Sequence, residues 1–415
     1  MRMRIKDIAT KVGSGITPKG GATVYQDSGI PLFRSQNVTN DGFLLDDIVY
    51  ISEDIHNSMA GSRLKPNDVL LNITGASIGR CYYLPQDFRE GNVNQHVCII
   101  RLKKNVIPAF LYFNLISATG QKMIKSCQTG ANREGLTKEE LCNFAFEIPT
   151  IELQSKIVEY LNDKTSMINS NINLLNSKRD AYLHLKKSII NHAVTQGLNP
   201  EIQLKASGVD WIGEIPEHWK VLRFKDIFKT WTTGITPDSK NPQYFEFDTK
   251  NGYTWVTISD FTDKYIKQSD MNLSAKSVRK FAPAISKKGS LLFSFKLSVG
   301  KLAFAGKDLY TNEAIVSLPP TKKQHLDYFY YILPIILINN ATENIYGAKM
   351  LNQKKIANML MIVPPLSEQQ AIAAYLDEKC SKIDKIVANL EKQISLYTDL
   401  KRSLIEEVIT GKRAV

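Results

Sequence analysis

Cysteine is scarce in this 415-residue chain, and the scarcity excludes several classes of protein. The five cysteines are scattered, no two are spaced as CxxC, and they form no zinc-binding pattern. The longest apolar run, 328–338, contains Pro334 and is too short to cross a bilayer. The N-terminal residues lack the apolar stretch of a signal peptide. We therefore expect reduced thiols, no metal site, no membrane association and a cytoplasmic location.

Catalytic motifs are also missing. Residues 241–244, Asn-Pro-Gln-Tyr, resemble the Asn-Pro-Pro-Tyr tetrad of adenine methyltransferases, but the third residue differs and the first half of the chain has no counterpart. Residues 13–15, Gly-Ser-Gly, lack the third spaced glycine of a nucleotide-binding loop, and the histidines show no HExxH. Asp87 and Glu90 could suggest the carboxylate pair of a nuclease, but such a site also needs a lysine, and none is nearby. We interpret this segment as a surface loop. We predict no catalytic residues and no metal ligands.

A long internal repeat is the most informative feature that is present. Residues 148–195 align with residues 363–410 without a gap when shifted by 215 positions. Gln154 then falls on Gln369, and Tyr182 falls on Tyr397. A repeat of this length predicts two equivalent structural units in one polypeptide.

Each copy of this repeat carries apolar residues at intervals of seven. Such a heptad, uninterrupted by proline or glycine, is typical of a coiled-coil seam. About 44 helical residues would form a rod of roughly 65 Å, longer than ordinary core helices. We predict two long helices that bury their seams against each other. The predicted seam residues are Leu161, Ile168, Leu175, Tyr182, Ile189, Leu376, Ile383, Leu390, Tyr397 and Leu404.

The segments that precede the two helices repeat more loosely. Gly-Ile-Thr-Pro at 15–18 returns at 234–237, and Ser-Ile-Gly-Arg at 77–80 returns as Ser-Val-Gly-Lys at 298–301. The offset drifts between 215 and 223, which places the insertions in loops. Apolar framework positions match, whereas the polar residues between them mostly differ. Two scaffolds of one fold with different surface chemistry are expected to recognise different targets.

The net charge of the chain indicates the class of molecule that it binds. The net charge of +12 and the pI near 9.2 favour a polyanion, most simply nucleic acid. Paired domains on a long spacer suit duplex DNA, because the near-twofold DNA backbone is usually bound by paired elements spaced along it. From the residues alone, the fold class is α+β.

Three segments are similar to segments of one known family. Residues 149–154, Pro-Thr-Ile-Glu-Leu-Gln, and 364–370, Pro-Pro-Leu-Ser-Glu-Gln-Gln, look like the helix start of the specificity (S) subunit of type I restriction–modification enzymes. Residues 211–219, Trp-Ile-Gly-Glu-Ile-Pro-Glu-His-Trp, look like that family's entry into a target-recognition domain. The resemblance covers essentially the whole chain. The first copy lacks the tryptophan-rich entry, and the second has Glu313 where the family often has glutamine.

The resemblance implies an architecture. Two α/β target-recognition domains would be separated by two long helices that pair as an antiparallel coiled coil. The expected segments are target-recognition domains at 1–147 and 219–362, conserved helical regions at 148–197 and 363–412, and a linker at 198–218.

The resemblance also implies a function. Each target domain would bind one half of a bipartite, asymmetric double-stranded DNA site, and the coiled coil would set the gap. The helices would dock two modification (M) subunits, which carry S-adenosylmethionine and methylate adenine at N6. Two restriction (R) subunits, which use ATP and Mg²⁺, can join such complexes. This chain itself would be non-catalytic and hold no cofactor.

Candidate DNA-reading residues follow from the matched loops. Base edges are read by Arg, Lys, Asn, Gln, Ser and Thr side chains on exposed loops. The competing interpretation is that these residues only close turns, which we expect for Asn94, Asn312 and the glycines of the loops. The candidates are Arg34, Gln36, Asn37, Asn72, Thr74, Ser77, Arg80, Asn132, Arg133, Thr257, Ser259, Asp260, Ser294, Lys296, Ser298, Lys301 and Lys349.

Two other functions stay open at this point. A stand-alone DNA methyltransferase or nuclease would need the cofactor loop or tetrad that is missing, and bound S-adenosylmethionine would reveal it. An adaptor protein without DNA binding would not need the basic charge, and a salt-dependent gel shift would separate it from a DNA-binding protein.

Overall fold

A computed structural model describes residues 1–128, 135–248, 250–296, 298–343, 347 and 349–415. The candidate residues Asn132 and Arg133 lie outside these ranges. The chain forms two compact units. The first unit comprises Met1–Lys178 and Leu390–Val415, and the second unit comprises Arg179–Asn389. Each long helix therefore contributes one part to each unit.

The first half of the chain ends in the first long helix. Its strands are β1 (Arg2–Arg4), β2 (Ala9–Ser14), β3 (Ile30–Phe33), β4 (Val38–Thr39), β5 (Gly42–Phe43), β6 (Val49–Ile51), β7 (Val69–Asn72), β8 (Cys81–Tyr83), β9 (Asn92–Val93), β10 (Val97–Leu102) and β11 (Ala145–Glu147). Its helices are α1 (Ile5–Ile8), α2 (Glu53–Ser58), α3 (Pro108–Ile116), α4 (Ala118–Ser126), α5 (Lys138–Asn143) and α6 (Ile151–Gln196).

The second half follows a similar order and ends in the second long helix. Its strands are β12 (Leu204–Ala206), β13 (Glu214–Pro216), β14 (Lys220–Arg223), β15 (Thr232–Thr233), β16 (Phe245–Glu246), β17 (Tyr253–Val256), β18 (Tyr265–Ile266), β19 (Asn272–Leu273), β20 (Leu291–Ser294), β21 (Leu302–Ala305), β22 (Tyr310–Thr311), β23 (Ile315–Leu318), β24 (Thr342–Glu343), β25 (Lys349–Met350) and β26 (Leu360–Val363). Its helices are α7 (Phe224–Ile227), α8 (Ala275–Phe281), α9 (Leu326–Asn340), α10 (Gln353–Asn358) and α11 (Leu366–Ile409).

The main sheets of the two units share a central motif. In the first unit the antiparallel order is β2-β10-β7-β8, and in the second β23-β20-β21 repeats the order β10-β7-β8. The inner strands β7 and β20 are buried along their full length, which explains their continuous apolar sequence. A parallel pair also recurs, β3 with β9 and β17 with β22.

Helix α3 and helix α9 pack in the cores of their units. Both are apolar on most faces, as expected of helices that are buried all round. The apolar run 328–338 forms most of α9 and tolerates Pro334 within the helix. Within the described ranges, no helix combines the length and hydrophobicity needed to cross a membrane.

In the first unit, the long helices pack antiparallel. Leu161 and Ile168 of α6 share one hydrophobic core with Leu404 and Val408 of α11. Lys401 Nζ donates a hydrogen bond of 2.9 Å to Asn169 Oδ1, so the end of α11 lies against the first half of α6. We call residues 151–178 of α6 together with residues 390–409 of α11 the first arm.

In the second unit, the remaining halves of the long helices pair in the same way. Val194 shares a core with Leu376 of α11, and Lys186 Nζ lies 2.6 Å from Asp384 Oδ1. We call residues 179–196 of α6 together with residues 366–389 of α11 the second arm. Every predicted seam residue in both arms is buried or half-buried. The predicted α+β fold with an antiparallel helix pair is confirmed.

Candidate nucleic-acid interface

Three loops of the first unit meet where β3, β7 and β9 end. The backbone N–H of Asn94, which follows β9, donates to the carbonyl of Phe33 at the end of β3 over 3.0 Å. A hydrogen bond of 2.6 Å joins Thr74 Oγ1 to His96 Nδ1. These bonds hold the loops side by side. The first loop cluster comprises residues 34–37, 73–80 and 94–96.

The second unit builds the matching cluster with the same backbone bonds. The N–H of Asn312 donates to the carbonyl of Val256 over 3.0 Å. The N–H of Phe295 donates to the carbonyl of Ala314 over 3.0 Å, as the N–H of Ile73 does to the carbonyl of His96 over 3.0 Å in the first unit. The second loop cluster comprises the described residues of 257–260, 295–301 and 312–314. Each unit therefore presents one cluster of polar loops on a rigid sheet, as expected of a recognition site.

Two asparagines organise these clusters, as the sequence predicted. Asn94 Oδ1 accepts from the N–H of His96 over 3.1 Å, and Asn312 Oδ1 accepts from the N–H of Ala314 over 3.1 Å. Each side chain thereby closes a turn two residues further on. The structural interpretation of Asn94 and Asn312 is confirmed.

Three of the candidate DNA-reading residues are fully buried, which corrects their prediction. Asn37 Oδ1 accepts from the N–H of Arg34 over 2.9 Å, while Asn72 Nδ2 donates to the carbonyl of Ser35 over 2.7 Å. Ser294 Oγ accepts from the N–H of Lys301 over 3.1 Å. Short polar side chains satisfy buried backbone groups at these turns, so they are not presented to a DNA surface.

Asp260 repeats the role of Asn37 in the second unit. Its Oδ2 accepts from the N–H of Thr257 over 2.7 Å and from the Thr257 hydroxyl over 2.9 Å. The hydroxyl of Thr257 also hydrogen-bonds Ser259 Oγ over 2.7 Å. Half-buried Asp260 and Thr257 therefore shape the loop, and Ser259 stays exposed at its surface.

Arg34 and Gln36 are held by one aspartate. The guanidinium of Arg34 donates to the carbonyl of Asp47 over 2.6 Å and lies 3.2 Å from its carboxylate. The side-chain amide of Gln36 donates to the same carboxylate. Arg34 is only 19% exposed in its side chain, whereas Gln36 is exposed. Arg34 therefore braces the loop, and Gln36 is its accessible side chain.

The remaining candidates are exposed or half-buried, and three lysines among them bring positive charge to the second cluster or its neighbourhood. Lys296 and Lys301 belong to the turn after β20, and Lys301 Nζ reaches the carbonyl of Ile258 at 3.5 Å. Lys349 lies in the neighbouring strand β25. The exposed candidates are Gln36, Arg80, Ser259, Ser298, Lys301 and Lys349, and the half-buried ones are Arg34, Thr74, Ser77, Thr257, Asp260 and Lys296.

The structure adds candidates that were not singled out as DNA-reading residues. Gln95 and Glu313 are exposed at the apex of the two asparagine turns, and His96 is fixed by Thr74. The carboxylate of Glu313 accepts from the hydroxyl of Thr236. For Gln95 and Glu313 the sequence signal was their position, because each directly follows one of the matched asparagines.

The tetrad-like residues 241–244 form a structural turn. Asn241 Oδ1 accepts from the N–H of Gln243 over 3.2 Å, and the buried ring of Tyr244 packs edge-on against Phe281 at 5.1 Å. A tyrosine held in this way is not free to stack on a base. Among the residues that the structure describes, no His, Cys, Asp and Glu side chains cluster as metal ligands.

Comparison with protein families gives a match over most of the chain. The model described as "Type I restriction modification DNA specificity domain" matches residues 1–178 and again residues 216–396. Each match includes one loop cluster and part of one long helix, α6 in the first match and α11 in the second.

Individual relatives agree with this match. The specificity subunit of the type I restriction enzyme MjaIX from Methanocaldococcus jannaschii is 28% identical over 201 residues, which are 47% of this chain and 44% of the relative. This chain thus spans less than half of that protein. The EcoKI specificity subunit of Escherichia coli K12 is 20% identical over 419 residues, covering 96% of this chain and 86% of the relative.

Solved structures share the fold. A chain from a study of complex assembly and conformational transition in the type I R-M system superposes with a TM-score of 0.75 at 15% identity, covering 99% of this chain and 97% of that one. The HsdS subunit from Thermoanaerobacter tengcongensis gives 0.50 at 16% identity, covering 100% and 97%. The duplicated loop clusters, the paired long helices and the double family match lead to one conclusion: the chain belongs to the type I restriction–modification DNA specificity family.

Proposed function

We propose that this chain reads a bipartite DNA sequence, one half with each loop cluster. The observation that carries the proposal is the pairing of identical backbone bonds at Asn94 and Asn312 with different exposed side chains around them. Residues 1–147 and 219–362 would be the two target-recognition domains. Because their exposed residues differ, the two half-sites would differ in sequence.

The exposed side chains give each cluster its own readout. Arg80 has the bidentate geometry that suits guanine, and Gln36 could pair with adenine in the major groove. In the second cluster Lys301 and Lys349 supply cations for guanine or phosphate, and Ser259 and Ser298 supply hydroxyl groups. The net charge of +12 would strengthen binding to the DNA backbone and make it dependent on salt.

The helix pair would hold the two readers apart and bind the catalytic partners. Its surface supports docking, because both arms expose large apolar side chains to solvent, where isolated coiled coils carry polar ones. We propose that M subunits with S-adenosylmethionine cover these positions and methylate adenine, and that R subunits join the same complex. The exposed large apolar residues of the first arm are Ile151, Leu153, Met167, Leu174, Leu396 and Leu400, and those of the second arm are Leu183, Leu185, Leu366 and Ile386.

Catalytic silence is the first test. The chain purified alone, mixed with duplex DNA, S-adenosylmethionine, ATP and Mg²⁺, should bind DNA but neither methylate nor cut it. Methyl transfer to DNA by a preparation shown by mass spectrometry to contain no M subunit would overturn the proposal.

A matched insertion tests the role of the helix pair as a spacer. One heptad added after Lys178 and one after Asn389 would keep both seams in register and lengthen each helix by about 10 Å. At about 3.4 Å per base pair, the preferred gap between half-sites should grow by about three base pairs, with unchanged half-sites. Site selection from a random-gap DNA library, with M subunits present, measures this.

The control for the spacer test is an insertion of equal length in the linker. Gly208 is exposed and has open space around it, so seven residues added after it leave both arms intact. The gap selected by this control should match that of the unmodified chain. A gap that changes with the linker and not with the helices would contradict the spacer model.

A further inference from the structure

Positions 41 and 264 are equivalent in the two copies but carry opposite charges. Aligning β3 on β17 brings Asp41 onto Lys264. In the structure, each residue directly precedes a short strand: Asp41 precedes β5, which pairs with β4, and Lys264 precedes β18, which pairs with β21. Because the charge at this matched position is reversed between the copies, we expect the neighbouring charges to be reversed as well.

Asp41 meets a lysine of the first arm. Its carboxylate forms an ion pair with Lys401, and Asn169 Nδ2 donates to the same carboxylate over 3.3 Å. Lys401 also donates to Asn169 over 2.9 Å, so the three side chains form a closed triangle. The Lys401 side chain is 15% exposed and that of Asp41 is 62% exposed, so solvent screens the pair mainly from the side of Asp41.

Lys264 meets carboxylates of the second unit. Its Nζ lies 2.7 Å from Asp377 on the second arm and 3.1 Å from Asp327 on α9. Tyr331 donates to Asp377 over 2.6 Å, and the ring of Tyr330 faces the ammonium at 5.2 Å. Burial disfavours the charged lysine, but the hydrogen bonds to both aspartates outweigh it and raise the pKa of Lys264.

The two arms differ in charge at matched helix positions. In the second arm Lys186, the counterpart of Lys401, already pairs with Asp384 over 2.6 Å. In the first arm the counterpart of Asp384 is Asn169, which carries no charge. The carboxylate that pairs with Lys401 therefore comes from Asp41 of the first recognition domain. Asp377 likewise corresponds to Asn162, so the second arm carries a carboxylate that the first arm lacks.

We propose that positions 41 and 264 form charge-keyed latches, which fix each recognition domain on its own arm and oppose docking on the other arm. Lys264 placed on the first arm would face Lys401 and neutral amides. Asp41 placed on the second arm would face a Lys186 that Asp384 already neutralises, together with the additional carboxylate of Asp377. Tandem copies of one fold risk wrong pairing during folding, and like charges at the wrong contact discourage it.

The latch also has a consequence for recognition, which rests on the proposed function. Asp41 follows the first loop cluster closely, because only β4 and Asn40 separate it from residues 34–37. A latch at this point would orient the cluster against the helix pair. Asp41 and Lys264 are therefore positioning residues, and neither is expected to touch DNA.

Charge reversal in the first unit tests the latch. Asp41→Lys and Lys401→Asp each place like charges together and should speed amide hydrogen exchange of residues 38–43 about tenfold in the full-length chain. The double variant, Asp41→Lys with Lys401→Asp, restores an ion pair and should return exchange to within about threefold of the unmodified protein. In the second unit, Lys264→Glu should speed exchange of residues 262–266.

Matched controls separate the latch from a general effect of charge. Asp46→Lys and Lys267→Glu make the same charge changes at exposed positions near each latch and should leave exchange unchanged. The proposal is overturned if Asp41→Lys changes hydrogen exchange no more than Asp46→Lys does, or if Lys264→Glu changes it no more than Lys267→Glu does. It is also overturned if the double variant exchanges as fast as the single variants.

A DNA readout keeps the latch distinct from the proposed function. With M subunits present, Asp41→Lys should weaken selection at one half-site at least fivefold more than at the other, and the double variant should restore it. If the double variant restores hydrogen exchange but Asp41→Lys changes neither half-site, the latch is supported and its role in orienting the loop cluster is contradicted. If Asp41→Lys changes one half-site but the double variant does not restore hydrogen exchange, the latch is contradicted, while recognition of two half-sites is still supported.

Discussion

The two units are most alike at buried polar side chains and least alike at exposed loops. In the first unit, buried Gln154 near the start of α6 accepts from the N–H of Ile107 over 2.9 Å and donates to the carbonyl of Pro149 over 2.9 Å. This one side chain ties the long helix to the start of α3. The proline–glutamine motif is therefore explained by backbone satisfaction at a helix junction.

The second unit repeats this junction almost bond for bond. Gln369 accepts from the N–H of His325 over 2.9 Å and donates to the carbonyl of Pro364 over 2.9 Å. At the loop clusters, in contrast, Arg80 is replaced by Lys301 and Gln95 by Glu313. Identity between the copies thus marks the scaffold, and differences among the exposed residues of the loop clusters mark those that are free to specify a target.

The largest expected effect comes from closing the space beside two matched glycines. A Cβ on Gly15 would lie 2.0 Å from the carbonyl oxygen of Val93, and one on Gly234 would lie 1.6 Å from that of Thr311. Gly15→Ala and Gly234→Ala should each cost about 4 kcal/mol or more, because backbone atoms must move. Denaturant unfolding of the full-length chain measures the loss.

Gly13→Ala is the control for this pair, since a Cβ there meets nothing within 4 Å. It should change the free energy of unfolding by less than about 1 kcal/mol. If Gly15→Ala were tolerated while Gly234→Ala unfolded its unit, the two scaffolds would not be equivalent.

A smaller effect is expected at the two glutamine junctions. Gln154→Ala and Gln369→Ala each leave a buried N–H without its acceptor and create a cavity, so each should cost about 2–4 kcal/mol. Gln370→Ala, at the exposed neighbour on the same helix, should be nearly neutral. Unfolding curves of the three variants provide the measurement, and unequal costs at Gln154 and Gln369 would break the comparison.

The sequence predicted the scaffold because the scaffold has local signals. The heptads around Leu161 and Leu376 and the turn asparagines Asn94 and Asn312 are recognisable from spacing alone. The loop residues were harder, because short polar side chains such as Asn37 suit both an exposed base contact and a buried turn. Sequence gives no means of separating these roles until burial is known.

Ion pairs between residues far apart in the chain left no recognisable pattern in the sequence. Arg34 is neutralised by Asp47, which follows in the same copy, but Asp41 pairs with Lys401 at the opposite end of the chain. No periodicity links residues 360 positions apart. Such contacts follow from the antiparallel helix pair, so they could be derived only after the fold was known.

The central claim is that two equivalent scaffolds read two different half-sites. Arg80 and Lys301 test it most directly, because they are matched, exposed and cationic. Arg80→Ala and Lys301→Ala would each be assembled with M subunits, and methylated sites would be sequenced from a random DNA library. Lys104→Ala and Lys267→Ala, at exposed positions outside the clusters, control for the loss of one positive charge.

The account predicts that Arg80→Ala relaxes sequence choice at one half-site only and Lys301→Ala at the other half-site only. Each loss should correspond to about 1–3 kcal/mol of base discrimination. The controls should weaken binding evenly without changing the selected sequence. Relaxation of both half-sites by either variant, or of the same half-site by both, would contradict the account.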